Sequence, residues 1–238
     1  MSHVLHRNIN ATVPTVKSAD GNYLIDDTGK KYLDASGGAA VSCLGHTNQR
    51  VIDAIKDQLD KVSFAHTGVF SNDAAEKLAT YLIENAPTGF GNGRAMFLGS
   101  GSEAMEAALK LARQYHLERG DDQRSKIIAR DRSYHGNTLG ALATGGHKQR
   151  QKPFDPLLID VAHIPPCYAY RFKHDNESDV EFGLRMANML EEEILNQGPE
   201  NVAAFVAEPV SGASLGAEPA APGYFKRIRE ICNQYGVL

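Results

Sequence analysis

Residues 95–110, with the sequence AMFLGSGSEAMEAALK, decide how the rest of the chain is interpreted. Four apolar residues precede a glycine–serine turn, so they predict a short buried strand over 95–98 that leads into a helix. Ser100 and Glu103 stand at the spacing of a capping box at the start of that helix. Such a helix start offers free backbone N–H groups and a positive dipole end to a phosphate. An ordinary capped helix after a strand accounts for the same residues equally well.

The pattern of apolar residues along the chain predicts an α/β fold. Residues 23–26 and 31–34 flank a hairpin turn, and helices are expected from Asn48 and from Ser71 or Asn72. Apolar strands are expected at 126–130, near 157–164 and at 202–207, with Val237 and Leu238 beginning another. Strands and helices alternate, which predicts three αβα layers around a mainly parallel sheet. The faces expected to pack are Val51, Ile55, Leu59 and Val62; Ala75, Leu78 and Leu82; and Ala104, Ala107, Ala108, Leu111, Ala112 and Tyr115.

Composition and charge argue against several classes of protein. The chain of 238 residues is 42% apolar and 23% charged, and its net charge of −4 argues against a nucleic-acid surface. No apolar run reaches membrane-spanning length, and the N-terminus lacks the apolar core of a signal peptide. Cys43, Cys167 and Cys232 are odd in number and far apart, which predicts reduced thiols in the cytoplasm. The nine histidines form no metal-binding motif, so no metal site is expected.

Three polar segments follow predicted strands and are expected to share one site. Residues 99–102, 133–136 and 208–212 all lie at strand carboxyl ends, where parallel sheets bind ligands. Tyr134 either stacks on a flat cofactor ring or packs at a domain edge. His135 either contacts the cofactor or, as we favour, shapes the turn, and Glu208 is either a functional carboxylate or a loop anchor. A phosphate site beside a ring platform describes pyridoxal phosphate (PLP).

Two other functions compete with this interpretation. Gly99-x-Gly101-x-x-Ala104 fits a loose dinucleotide fingerprint, with Asp131 at the end of a following strand, which would indicate an NAD-binding oxidoreductase. Some ninety residues precede the supposed first strand, however, and the serine-rich turn suits a terminal phosphate better than a pyrophosphate. The aromatic Tyr134 at the same rim is also unnecessary for ribose binding. A non-catalytic binding module that keeps the phosphate site is the second alternative.

The motifs together resemble those of the class III (omega) aminotransferases, a family of PLP-dependent enzymes of fold type I. Residues 100–104 resemble the family's phosphate-binding turn, 134–136 its ring-stacking turn and 208–210 its Glu-Pro motif. The opening segment, from 20–26 through 44–46, resembles the family's N-terminal segment. The resemblance covers essentially the whole chain. Gly99, Met105 and Ser211 depart from residues common in the family, namely Asn, Asn and Gln.

This resemblance implies a cofactor site, a reaction and an assembly. It implies that Ser100, Gly101, Ser102, Tyr134 and His135 bind PLP and that Glu208 recognises substrate. The implied reaction moves an amino group between an amine or amino acid and a keto acid, although relatives include a mutase and a decarboxylase. A homodimer is implied, in which residues 64–67 either reach the neighbouring site or form a packed loop.

The resemblance also implies where the parts of the enzyme lie along the chain. Residues 1–48 would form the N-terminal segment of a small domain. Residues 49–238 would form a PLP-binding large domain that is incomplete at its C-terminal end. The family's Schiff-base lysine and the aspartate that pairs with the pyridine nitrogen would both lie beyond Leu238. No catalytic residue is therefore expected within these 238 residues, and the chain is expected to be inactive alone.

Overall fold

The computed structural model describes residues 3–238, and the chain divides into two compact units, with the boundary in sequence between Gly93 and Arg94. The first unit contains an antiparallel sheet of β1 (Val16–Asp20), β2 (Tyr23–Asp26) and β3 (Lys31–Leu33). The predicted hairpin joins β2 to β3, whereas β1 begins inside the segment that carried no strand signal. Three helices follow, α1 (Gly37–Ala40), α2 (Gln49–Lys61) and α3 (Asp73–Glu84). The Asn48 and Asn72 side chains cap α2 and α3 by accepting backbone N–H bonds.

The predicted packed faces of α2 and α3 are exposed. Ile55 and Leu59 on α2 are 56% and 57% exposed, and Leu78 on α3 is 49% exposed. The apolar face of α2 lines an open groove of about 740 Å³. An amphipathic pattern predicts that one face of a helix favours burial, but it does not predict which other element packs against that face. Within the described part of the first unit, neither helix has a buried residue.

The second unit is built on a parallel sheet in the order β5-β4-β6. Leu238 extends this sheet, because its N–H donates to the Ala203 carbonyl at 3.0 Å and its carbonyl accepts from the Phe205 N–H at 2.9 Å. This is the hydrogen-bond pattern of a parallel neighbour, as the sequence predicts for Val237 and Leu238. The helices and strands, in chain order, are α4 (Gly101–Glu118), β4 (Lys126–Arg130), α5 (Leu139–Thr144), α6 (Lys148–Gln151), β5 (Ala162–Ile164), α7 (Ala169–Phe172), α8 (Asp179–Gln197), β6 (Val202–Val206), β7 (Val210–Ser211), β8 (Glu218–Pro219) and α9 (Tyr224–Tyr235), with 3-10 turns at Lys152–Leu157 and Pro199–Asn201.

Helices cover both faces of this sheet, which confirms the predicted three layers. On one face, α8 and α9 bury Phe182, Leu190 and Ile231 against Ile128 of β4. On the other face, Leu109 and Ala112 of α4 pack against the strand residues Ile127, Ala203 and Ala204. A capping box between Ser178 and Glu181 sets the start of α8. The core therefore lies on the α8–α9 side, and the start of α4 lies on the opposite side.

The predicted strand at 95–98 is wrong. These residues form no strand, and Met96, Phe97 and Leu98 are 69%, 44% and 46% exposed. A strand requires a neighbour to accept its backbone hydrogen bonds. In the described chain, no backbone hydrogen bond joins residues 95–98 to the sheet β5-β4-β6 or to Leu238 at its β6 edge. An apolar run thus predicts a preference for burial but not the pairing that makes a strand.

The predicted packed face of α4 is also partly wrong. Leu111 and Tyr115 are exposed, whereas His116 is 1% exposed and is the buried residue of this helix. The His116 Nε2 atom lies 2.9 Å from the Ala203 carbonyl oxygen. Met105, Leu109, Ala112 and His116 repeat at helical spacing just as the predicted set does. The polar contact of His116 with β6 decides which of the two faces packs.

No helix in the described part of the chain is long and apolar enough to cross a membrane. Among residues 3–238, no group of His, Cys, Asp or Glu side chains is arranged to hold a metal ion. The three cysteines are free thiols, with Cys43 exposed and Cys167 and Cys232 buried. Burial raises the pKa of both buried thiols, so they stay protonated at neutral pH.

Candidate active site

The turn after β4 meets the start of α4 and the segment after β6. The Ser102 hydroxyl lies 3.1 Å from the Asn137 backbone N–H and 3.1 Å from its side-chain oxygen. The Tyr134 backbone N–H donates to the Glu208 carboxylate at 3.4 Å. The three polar segments expected to share a site therefore meet beyond the carboxyl ends of β4 and β6, and Asn137, just after residues 133–136, makes the contact with Ser102.

The start of α4 keeps the features expected of a phosphate site. Ser100 caps the helix, and its hydroxyl accepts the Glu103 N–H at 3.2 Å. Gly101 and Ser102 occupy the first two helical positions, where no carbonyl within a helix accepts their N–H groups. A Cβ atom placed on Gly101 would meet nothing within 4 Å, so open space adjoins the α-carbon of this first helical residue. The 18-residue helix adds the positive end of its dipole.

The Ser102 hydroxyl is already committed to a protein partner. It donates to the Asn137 side-chain oxygen and accepts the Asn137 N–H. The approach depends on Gly136, whose φ is +136° and whose Cβ would lie 2.6 Å from the Ser102 Oγ atom. The backbone N–H is therefore the donor of Ser102 that remains free. Asn137 was not among the predicted site residues, and its position directly after Gly136 is the only signal for it in the sequence.

Glu106 is a second residue that the sequence analysis missed. Its carboxylate accepts the N–H groups of Gly140 at 2.8 Å and Ala141 at 3.1 Å, which ties α4 to the start of α5. The neighbouring Thr138 hydroxyl and these two N–H groups hold the Glu106 pKa below its usual range. The carboxylate is thus an ionised cap that holds the turn containing Tyr134 near the start of α4.

Tyr134 and His135 lie in different environments. The Tyr134 side chain is 46% exposed, and the Arg150 guanidinium lies 5.0 Å from the centre of its ring. His135 is partly buried, and burial lowers its pKa against an opposing effect from Glu208. Its imidazole is consequently neutral at pH 7. Tyr134 offers an accessible ring, whereas His135 lies inside the turn.

Glu208 anchors two backbone segments. One carboxylate oxygen accepts the Gly212 N–H at 3.2 Å, and the other accepts the Tyr134 N–H at 3.4 Å. These bonds correspond to the loop-anchor role weighed for this residue. Substrate recognition by Glu208 stays a prediction.

Arg130 is a buried cation beneath this site. It is 2% exposed, and its Nη2 atom donates to the Glu208 backbone carbonyl at 2.6 Å and lies 3.4 Å from the Ser211 hydroxyl. The guanidinium lies 5.9 Å from the ring centres of both Tyr224 and Phe225. Among the described residues, no carboxylate forms an ion pair with it. The only sequence signal was a charged residue at the carboxyl end of an apolar strand.

The model of the aminotransferase class-III family matches residues 4–238 of this chain. The chain belongs to this family. It is 48% identical over 238 residues to an uncharacterized aminotransferase of Schizosaccharomyces pombe. The match covers 100% of this chain and 51% of that protein. An uncharacterized aminotransferase of Bacillus subtilis is 40% identical over 237 residues, covering 100% of this chain and 52% of the relative. This class III aminotransferase chain thus spans about half the length of the curated relatives it matches.

A solved structure agrees with the family assignment. An omega transaminase from Pseudomonas jessenii in complex with PMP superposes with a TM-score of 0.90 at 33% identity, covering 99% of this chain and 53% of that one. The aminotransferase chain therefore has the fold type I architecture of PLP-dependent transferases, as the resemblance implies. Membership of this family also favours an aminotransferase over the NAD-binding oxidoreductase.

The family and the PMP complex imply pyridoxal phosphate as the cofactor. The residues of this aminotransferase chain fit such a group on three counts. Open space adjoins the α-carbon of Gly101 at the start of α4, and Gly136 gives the turn a close approach to that helix start. The Tyr134 ring is accessible in the same turn.

Proposed function

We propose that this chain is the cofactor-binding part of an aminotransferase that moves an amino group between an amine or amino acid and a keto acid, with PLP as cofactor. The observation that carries the proposal is the contact of the α4 start with the Tyr134 turn, itself bonded to Glu208 at the strand ends. Family membership gives the reaction class. The activity of the whole protein is part of the proposal, because the chain spans about half of its relatives.

Each site residue has a proposed role. The N–H groups of Gly101 and Ser102 hold the phosphate, with the Ser100 hydroxyl beside them, since free donors at a helix start bind anions. Tyr134 covers the cofactor ring, and neutral His135 supports the turn that carries Tyr134. Bound PLP supplies an electron sink at the substrate carbon that carries the amino group. Glu208 contributes to substrate recognition at the same rim.

We further propose the organisation of the complete enzyme. Residues 1–48 belong to a small domain and residues 49–238 to the PLP-binding domain of a cytoplasmic homodimer. Residues 64–67 reach the neighbouring subunit's site, which the 78% exposure of Phe64 supports. The resemblance to the family supports the two domains, the cytoplasmic location and the homodimer.

The 238-residue chain alone is proposed to be inactive, with the Schiff-base lysine and the pyridine-nitrogen aspartate beyond Leu238. Lys126 is a poor substitute, because it lies at the amino end of β4 and bonds the Gln197 side chain at 2.9 Å. The intact mass and an absorbance scan for a Schiff base should be measured for this chain and for the full-length protein. Aldimine absorbance and amino transfer by the 238-residue chain would contradict the proposal.

A proline substitution at the first helical position tests the phosphate site in the full-length protein. Gly101→Pro removes one N–H donor, and proline is well tolerated at this position. Ser100 already has the extended conformation that a following proline favours, with φ −157° and ψ 163°. A charge-assisted hydrogen bond contributes ~1.5–3 kcal/mol, so PLP affinity should fall about tenfold or more.

Gly101→Ala is the matched control for this experiment. It keeps the N–H group, and its methyl group enters open space. The alanine variant should bind PLP as the wild type does, and circular dichroism should show α4 intact in both variants. Equal PLP affinity of the proline and alanine variants would show that the Gly101 N–H does not bind the phosphate. An NAD titration of the wild type distinguishes the dinucleotide alternative.

A further inference from the structure

Two polar side chains on one face of α4 meet two glycines of the segment after β4. Ser102 and Glu106 are four residues apart, so they are neighbours on the same face of the helix. Gly136 and Gly140 are also four residues apart. A Cβ atom on Gly136 would lie 2.6 Å from the Ser102 Oγ atom. One on Gly140 would lie 2.5 Å from a Glu106 carboxylate oxygen, so a side chain at either glycine would displace the polar group that it faces.

Hydrogen bonds join α4 to the segment at the same two places. The Ser102 hydroxyl accepts the Asn137 N–H at 3.1 Å and lies 3.1 Å from the Asn137 side-chain oxygen, to which it donates. The Oε1 atom of Glu106 accepts the N–H groups of both Gly140, at 2.8 Å, and Ala141, at 3.1 Å. Ala141 is fully buried, so loss of the carboxylate would leave its N–H unpaired. We call the Ser102 hydroxyl and the Glu106 carboxylate the α4 clamp.

The α4 clamp fixes the backbone from which the Tyr134 ring projects. Asn137 follows Tyr134 by three residues, and the Tyr134 N–H donates to the Glu208 carboxylate at 3.4 Å. The residues between are thus held at both ends, by α4 on one side and by the segment after β6 on the other. The start of α4 also carries the Gly101 N–H that is proposed to hold the phosphate. One helix therefore sets the positions of both proposed cofactor contacts.

We propose that the Ser102 hydroxyl and the Glu106 carboxylate are positioning groups, which hold the Tyr134 ring at the place that the cofactor ring requires relative to the start of α4. This inference rests on the proposed function. It assigns the Ser102 side chain to the Tyr134 turn and only the Ser102 N–H to the phosphate. Groups that bind one ligand act together only when supporting hydrogen bonds hold them in the right geometry.

The test uses three probes on the full-length protein freed of cofactor: PLP, pyridoxal, which has the ring without the phosphate, and inorganic phosphate. Ser102→Ala and Glu106→Ala should each weaken the binding of PLP and pyridoxal about tenfold, because the Tyr134 ring is no longer held in place. Both variants should bind inorganic phosphate as the wild type does, since the N–H groups at the start of α4 remain. Gly101→Pro should weaken the binding of PLP and phosphate and leave that of pyridoxal unchanged.

Glu106→Gln and Glu118→Ala are the controls. Glutamine keeps an oxygen that accepts both N–H groups, so pyridoxal affinity should stay within about twofold of the wild type. Glu118→Ala removes a carboxylate from an exposed position of the same helix and should change none of the three affinities. Circular dichroism should show α4 intact in every variant. Ser102→Ala, which leaves every backbone N–H in place, tests the inference even where Glu106→Ala does not fold.

Each outcome separates this inference from the proposed function. Phosphate binding weakened as much as pyridoxal binding in Ser102→Ala would show that the hydroxyl contacts the phosphate, and it would overturn the positioning role. Unchanged pyridoxal binding in both alanine variants would overturn it as well. A Glu106→Gln variant as weak as Glu106→Ala would show that charge acts rather than a placed acceptor, with the same consequence. A wild-type protein that binds neither PLP nor pyridoxal would instead overturn the proposed function.

Discussion

Arg130 links three features of the candidate site although it is almost fully buried. Its hydrogen bond to the Glu208 carbonyl at 2.6 Å holds the segment after β6 against the end of β4. Burial is the main cause that lowers the pKa of His135, and the positive charge of Arg130 lowers it further. A buried charge without a carboxylate partner costs stability, and its hydrogen bond and the two neighbouring aromatic rings offset part of that cost.

Arg130→Met should therefore change both stability and the titration of His135. Loss of the bond to Glu208 leaves a carbonyl unpaired and should destabilise the second unit by about 1–3 kcal/mol. The pKa of His135 should rise, because a positive charge that disfavours the imidazolium is gone. Urea unfolding and an NMR titration of the His135 ring protons measure the two effects.

Arg130→Lys serves as the control for this substitution. It keeps the charge, so His135 should titrate close to its wild-type pKa even where stability falls. An unchanged His135 titration in Arg130→Met would show that Arg130 acts on the site only through packing.

At the scale of elements, α8 holds the second unit together through one buried side. Its buried residues are Phe182, Gly183, Met186, Ala187, Leu190 and Ile194. The helix also comes close to the loop before α9, because a Cβ atom on Gly183 would lie 2.3 Å from the Pro222 carbonyl oxygen. Its amphipathic pattern, unlike those of α2 and α3, meets both a sheet and a second helix.

Leu190→Ala should lower the free energy of unfolding by ~2–5 kcal/mol, because it opens a cavity in a closely packed core. Leu190 is fully buried, whereas Leu195 on the same helix is 55% exposed. Leu195→Ala removes the same atoms with no core contact and should change stability by less than ~0.5 kcal/mol. Similar losses in the two variants, measured by urea unfolding, would show that α8 is not packed as described.

At the scale of the whole molecule, each unit contains a carboxylate whose contribution to folding stability should be lost at acid pH. In the first unit, hydrogen bonds from the Thr28 side chain and then from Tyr32 lower the pKa of Asp26 to about 2. In the second unit, Arg185 donates to both oxygens of Glu177 and lowers the pKa of Glu177 to about 2. A carboxylate whose pKa is lower in the folded state adds stability above its unfolded pKa of about 4 and loses it as pH falls.

Asp26→Asn and Glu177→Gln should therefore each destabilise the protein at pH 7. The difference from the wild type should shrink as pH falls from about 4 towards about 2, because the native carboxylates then take up protons. Unfolding curves recorded across this pH range provide the measurement. Asp27→Asn changes an exposed neighbour and should have little effect at any pH. A penalty that stays constant down to about pH 2 would contradict the assigned hydrogen bonds.

Sequence alone predicted the features that depend on neighbouring residues. The helix start at Asn48, a cap at Ser71 or Asn72, the cap at Ser100, the hairpin after β2 and the apolar strands β4 and β6 all follow from local hydrogen bonding and periodicity. The motifs around Ser102, Tyr134 and Glu208 indicated the family, and the alternation of elements indicated that these residues would meet at one edge of a parallel sheet.

Tertiary structure alone decided the features that depend on residues distant in sequence. The run at 95–98 is apolar, yet it forms no strand because no described neighbour accepts its hydrogen bonds. The packed face of α4 follows from the contact of His116 with Ala203, 87 residues away. Arg130 meets Glu208 across 78 residues. Periodicity and capping report the preferences of one segment, whereas pairing, burial of a charge and the shape of a cavity require a second segment in place.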